Sequence, residues 1–247
     1  IKGIFASKPP HFMDQDERDK LVKLKEMIID IGSSSKKETI ENYKIEVGAP
    51  IIPDVCFEYD QNNEIMMGKA FDNRLGTALV IELILALSDK DFDFNLVGSL
   101  SAQEEVGTRG AEVTARKVKP DLALAFEGTP ADDSFRDKYD AQSVLKKGGQ
   151  IRHLDVSIIS NPAFIKFARN IAKEKDIPFQ DAVRIGGGND GAKILVSNYS
   201  VPTIVIGVPV RYAHTHYGIS SYQDYKNTLD WAKEIIKDLD SEIINSF

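Results

Sequence analysis

The sequence predicts an α/β protein with a mainly parallel sheet flanked by helices and, ahead of it, part of a small β-rich domain. Three observations carry this. From about Gly68, apolar runs of strand character alternate with runs of helical spacing, the rhythm of a sheet covered on both faces. The stretch "VPTIVIGVPV", residues 201–210, is almost unbroken β-branched and apolar, as in a strand buried on both sides. Residues 1–66 lack that rhythm and carry short apolar stretches broken by Gly, Pro and Asn-Asn. With 247 residues, 42% of them hydrophobic and 28% charged, the chain can enclose one large core or two unequal ones.

In chain order, "DERDKLVKLKEMIIDIG" reads as a helix followed by a short strand, and residues 43–69 as β structure. "RLGTALVIELILALSDK" places Leu79, Leu83 and Leu87 on one helical face. "FNLVGSLS" reads as a strand, "EVTARKV" as a helix and "PDLALAFEG" as a strand opened by proline. "NPAFIKFARNIAKEKD" is an amphipathic helix with an Asn-Pro start. The last stretch, "SYQDYKNTLDWAKEIIKDLDSEIINSF", reads as one long helix. The division expected is residues 1–66 as the β-rich part and 67–247 as the α/β part.

A net charge of −7 argues against nucleic-acid and anionic-membrane partners, which require a basic face. No apolar run approaches the ~20 residues needed to span a bilayer. The opening "IKGIFASKPPHF" lacks the features of a signal peptide. The single cysteine, Cys56, excludes an internal disulfide and is read as a core residue; a cytoplasmic location is expected. A start at isoleucine rather than methionine points to an N-terminal part beyond Ile1.

Ligand sites of open α/β sheets gather at the carboxyl ends of strands. There the sequence places Asp72 in "FDNRLG", Glu104 and Glu105 in "AQEEVG", Glu127 in "FEGTPADD", and Arg211, His214 and His216 in "RYAHTHYG". Each acid alone is an ordinary loop residue. Brought together, carboxylates raise one another's pKa unless a cation lies between them. Carboxylates with a histidine form a ligand set for zinc or a similar ion, and a shared carboxylate can hold two ions about 3.5–4 Å apart. In the Glu104–Glu105 pair one glutamate can bind metal while the other acts as a general base. Gly107 and Gly110 let the backbone turn beneath them.

The segments "GKAFDNRLG", "AQEEVGTRGA", "FEGTPADD", "GGGNDGAKI" and "VPVRYAHTHYG" occur in the order found in metallopeptidase family 42, and the chain resembles that family over nearly its whole length. The resemblance implies a zinc-exopeptidase-like catalytic domain with a small inserted β domain that mediates assembly, of which residues 1–66 would be the later part. It implies an aminopeptidase acting on peptides with two divalent ions, zinc or alternatively cobalt or manganese. It implies homo-oligomers built of dimers, up to a twelve-subunit shell. Carried over by position, Asp72 resembles the carboxylate bridging two metals, Glu104 the general base, Glu105 a ligand of one metal and His214 its histidine. Glu127 resembles a ligand of the other metal, where most relatives carry Asp.

A further family histidine stands in a His-x-Asp motif upstream of the inserted domain; this sequence is read as lacking that motif, and the stretch that would hold it is expected before Ile1. The second metal site is therefore expected to be weak in this chain. The resemblance also makes Gly187 and Gly188 backbone lining of the substrate cleft. His216, two residues after His214, is read as a substrate contact rather than a ligand. Arg211 fits either an ion pair or a substrate carboxylate. The acids of "PADDSFRDKYD" are read as a solvated loop. Two competing readings remain at this stage: an endoglucanase-like glycosidase, which needs two carboxylates and no metal, and an inactive scaffold that has lost a ligand.

Overall fold

The computed structural model describes residues 1–247 and contains two compact units, Ile1–Asp54 and Val55–Phe247. The first unit carries a two-stranded antiparallel sheet of β1 (Ile4–Ala6) and β2 (Ile28–Asp30), with the short helices α1 (Gln15–Arg18) and α2 (Lys36–Glu41). None of its residues is buried. Of the helix and short strand expected over residues 16–32, the strand forms as β2, whereas the helix shortens to α1 because Leu21, Val22 and Leu24 are exposed and a short helix without a packed apolar face is marginal in water.

The second unit contains β3 (Glu58–Asp60), β4 (Ile65–Gly68), α3 (Phe71–Leu87), α4 (Arg109–Val118), β5 (Ala123–Pro130), β6 (Gly149–Leu154), α5 (Pro162–Glu174), β7 (Phe179–Val183), α6 (Gly191–Leu195), β8 (Thr203–Arg211), β9 (Gly218–Ser221), α7 (Tyr222–Lys237) and α8 (Ser241–Asn245). Seven strands form one sheet in the order β3-β4-β9-β8-β6-β7, with β5 along the other edge of β8. The unit begins before the boundary at residue 66 because β3 and β4 are strands of this sheet.

The α/β class is as the sequence predicts, but the sheet is mixed rather than mainly parallel. The pairs β5–β8 and β6–β7 are parallel, whereas β6–β8, β8–β9, β4–β9 and β3–β4 are antiparallel. A short loop joins β8 to β9, and a connection of that length permits only an antiparallel neighbour.

Strand β8 is the spine of the unit. Its alternate side chains Ile204, Ile206, Val208 and Val210 face the core formed by α3, α5 and α7, where Leu79, Phe164, Trp231 and Ile235 are fully buried. Val205 faces the opposite way and packs with Ala125, Ile158, Ala192 and Leu195 beside α6. Both faces of the strand are thus covered, as its unbroken apolar run requires. Helix α5 starts as the Asn-Pro signal predicts, with the Asn161 side chain accepting from the Phe164 N–H.

Three expectations are corrected. "FNLVGSLS" forms no strand: β5 pairs only with β8, and residues 93–101 and 122–126 line a cavity of about 760 Å³, so this segment has no ladder partner. The C-terminal helix is two helices, because Asp240 caps a new one at Ser241. Cys56 is exposed rather than in the core. No helix is long and apolar enough to cross a membrane.

Candidate metal centre and active site

Four segments deliver the polar residues to one place. Asp72 follows β4 at the entry to α3, where Asp72 and Asn73 have non-helical dihedrals and the peptide between them is cis. Asn73 ties this entry to β5, its amide donating to the Phe126 carbonyl at 2.7 Å. A Cβ on Gly128 would lie 2.6 Å from the Phe71 carbonyl oxygen and 2.8 Å from the Asp72 Cα, so only glycine lets this backbone rest on β5 beside Glu127.

Glu104 and Glu105 sit in a turn closed by the N–H groups of Gly107 and Thr108, both donating to the Glu104 carbonyl, and of Gly110, donating to Ala102. Gly107 has φ +118°, and a Cβ on Gly110 would lie 2.4 Å from the Ala102 nitrogen. The two glycines are therefore steric requirements of the turn. His214 follows β8 in the left-handed region, at φ 62°.

These segments converge. His214 Nε2 lies 2.8 Å from Asp72 Oδ2 and 3.6 Å from Glu105 Oε2. The three side chains each offer one ligand atom, all within 4.8 Å of one another. Glu104, Glu127, Gly187 and Gly188 line the same cavity of about 700 Å³ as Asp72, Glu105 and His214. Glu127 lies within β5 rather than after it and is buried.

Arg211 and His216 do not line this cavity. Arg211 forms a fork on Asp133, with Nε at 2.9 Å and Nη2 at 2.7 Å, which is the ion-pair alternative of its sequence reading. Neither Asp132 nor Asp133 belongs to a solvated loop: Asp132 is buried and accepts from the Gln142 and Ser143 N–H groups. The reading that the sequence lacks a His-x-Asp motif is corrected: one occurs at His153–Asp155, though not upstream of the first unit. Its histidine pairs with Asp181 at 2.7 Å, away from the cavity, and Asp155 holds Arg152.

The acids press on one another. Burial, then repulsion from Glu105, raises the Asp72 carboxyl against the pull of His214. Burial, then repulsion from Asp190, Glu105 and Asp72, pushes Glu104 up to about 7. Glu127 is held well above the ordinary carboxylate range by burial and by Asp72 and Glu104. A divalent cation reverses this balance, because it stabilises the ionised form of every acid around it. Two carboxylates and an imidazole fit such an ion by donor type, at a place where several acids need one.

The sequence reading missed Arg136, Arg152, Arg184 and Asp190. The three arginines line the cavity, and Asp190 lies near Glu104. Arg152 belongs to β6, a strand with buried Gln150 and Arg152, whose polar side chains conceal the burial from hydropathy.

A carboxylate–histidine cluster at the strand ends of a helix-flanked sheet fits the class of metal-dependent hydrolases. Comparison with known proteins makes the class specific: the chain belongs to the M42 glutamyl aminopeptidase family, whose profile matches residues 1–231. It is 32% identical over 243 residues to the glutamyl aminopeptidase of Lactococcus lactis, covering 98% of this chain and 67% of that protein. It is 27% identical over 241 residues to the lysyl aminopeptidase of Pyrococcus furiosus, covering 96% of this chain and 67% of that protein. Among solved structures, the TET aminopeptidase of Thaumarchaeota archaeon SCGC AB-539-E09 superposes with a TM-score of 0.93 at 39% identity, covering 99% of this chain and 69% of that one. The chain is thus similar to metal-dependent aminopeptidases and spans about two thirds of their length.

Proposed function

We propose that the protein removes N-terminal residues from peptides, with Asp72, Glu105 and His214 holding one divalent ion and Glu104 as general base. The observation that carries this is the approach of three ligand atoms, from three separate segments of the chain, to within 4.8 Å of one another beside Glu104, whose carboxyl is pushed up to about 7. When bound, such an ion polarises a scissile carbonyl and lowers the pKa of water. Glu104 takes a proton from the attacking water and passes it to the leaving amine, a task suited to a carboxyl poised near neutrality. The acids attract the substrate's free α-ammonium group to the same end of the cavity. Asp72 and Glu127 offer two ligands for a second ion, so that site is the weaker one, and zinc, cobalt and manganese all suit the donors.

The presence of the base and three ligands in one cavity supports hydrolysis over an inactive scaffold, and no observation favours the glycosidase reading. The proposal includes a cytoplasmic location, in keeping with the lone exposed Cys56. It also includes assembly through residues 1–54. That unit exposes Phe5, Phe12, Leu21, Leu24, Ile28 and Val47, apolar surface that another subunit would cover. Aminoacyl chromogenic substrates assayed with added zinc, cobalt or manganese test the activity. Metal-dependent release abolished by EDTA is expected; no release from any substrate with any of the metals contradicts it.

A further inference from the structure

The cavity that holds the acids has a second, basic end. Arg136, Arg152 and Arg184 line it with Val183, Ile185 and the Gly186–Gly188 loop. Arg152 has Asp155 to itself, with Nη1 at 3.1 Å from Oδ2. Asp132 serves two arginines, Arg184 at 3.0 Å and Arg136 at 3.5 Å. The backbone N–H groups of Gln142 and Ser143 fix Asp132 in place.

Arg152 pairs with Asp155 and also pulls on the buried Glu127, whereas Arg184 and Arg136 must share the single carboxylate of Asp132. Burial, with added repulsion from Arg152 and Arg136, pulls Arg184 below the ordinary arginine range even against the opposing effect of Asp132. Arg184 is committed to Asp132 and to the Pro130 carbonyl, whereas the half-exposed Arg136 has the longer contact and is free to reorient. Family membership does not set the sign of the ligand here, since one relative is a glutamyl and another a lysyl aminopeptidase.

We infer that the arginine end of this cavity binds a carboxylate of the peptide substrate, with Arg136 making the contact and Arg184 supporting it from behind. The inference rests on the peptidase reading above, which places the substrate's α-ammonium group at the acidic end. A peptide carries a carboxylate in two places, the side chain of an N-terminal Asp or Glu and the C-terminus of a very short peptide. A planar guanidinium recognises both in the same way.

Calorimetric titration of the zinc-loaded full chain, carrying Glu104→Gln to prevent turnover, tests the inference and separates the two sources. The probes are Glu-Ala-amide against Gln-Ala-amide, and Leu-Ala against Leu-Ala-amide. A preference of about ten-fold for the carboxylate member of at least one pair is expected, about 1.4 kcal/mol. Adding Arg136→Gln should bring that ratio close to one, and Arg136→Glu should shift preference to Lys-Ala-amide, with unchanged circular dichroism. Equal affinities within both pairs, absence of binding by all four probes, or a ratio that survives Arg136→Gln overturns the inference. Failure of the peptidase reading looks different: the carboxylate preference would be present while the wild-type chain hydrolyses none of the four.

Discussion

At one end of the cavity burial and mutual repulsion raise the carboxyls of Asp72, Glu104 and Glu127, against the pull of the exposed His214 on Asp72 and Glu104 and of Arg152 on Asp72 and Glu127. At the other end Arg152 and Arg184 each meet a carboxylate at hydrogen-bonding distance, and Asp132 is anchored by backbone N–H groups as well. The acidic end is a set of ligands awaiting charge from outside. The basic end is largely neutralised from within, with Arg184 and Arg136 sharing Asp132. The same substitution type, a charge removed without change of shape, should therefore have opposite consequences at the two ends.

The largest effect is expected at the acidic end and concerns rate. Glu104→Gln should lower turnover by about 10³-fold, in the range general acid–base catalysis supplies, while metal content stays near that of the parent. Glu105→Gln should lower metal content as well. Metal loss in the first variant with retention in the second would exchange the roles of the pair.

The next effect is on stability at the basic end. Asp132→Asn leaves Arg184 and Arg136 without their counter-ion and should cost about 3 kcal/mol in denaturant unfolding, the scale for removing one partner of a buried ion pair. Glu127→Gln should do the reverse in EDTA-treated protein: it removes a repelled, buried carboxylate and should raise stability. If both substitutions move stability in the same direction, the contrast between the two ends fails.

The smallest effect is the pH dependence of the metal-free protein. Glu104 titrates near 7 when folded, above the ordinary glutamate value of 4.5, and Asp72 is shifted the same way. Such groups bind protons more tightly in the folded state, so their stabilisation is complete below the unfolded pKa and is lost as pH rises toward 7. Thermal unfolding in EDTA should show stability falling between pH 5 and 7 on this account, with a flatter profile for Glu104→Gln. Because metal binding must displace those protons, metal affinity should rise over the same interval.

The two ends also differ in how far the sequence discloses them. The acids and His214 stand after apolar runs, in short segments that match a family pattern, so the gathering of Asp72, Glu104, Glu105, Glu127 and His214 in one cavity was legible. The arginines were not. Arg136 lies in a loop whose acids read as solvated, Arg152 on a strand with no alternation, and Arg184 just after β7, whose sequence "FQDAV" carries no strand signal. Polar side chains that satisfy one another in a core leave no trace in hydropathy. In the fold, β8 was plain from composition, whereas the strand expected at "FNLVGSLS" was not formed, because a strand depends on a ladder partner that local sequence does not specify.

The most direct test of the metal centre is crystallography of the zinc-soaked chain, with anomalous data collected on both sides of the zinc absorption edge. The account predicts one strong peak among Asp72, Glu105 and His214, with the His214 nitrogen about 2.0–2.1 Å from the metal, and a much weaker peak toward Glu127. The account is contradicted if no metal lies among those three side chains at saturating zinc, or if two fully occupied ions appear with no second histidine bound.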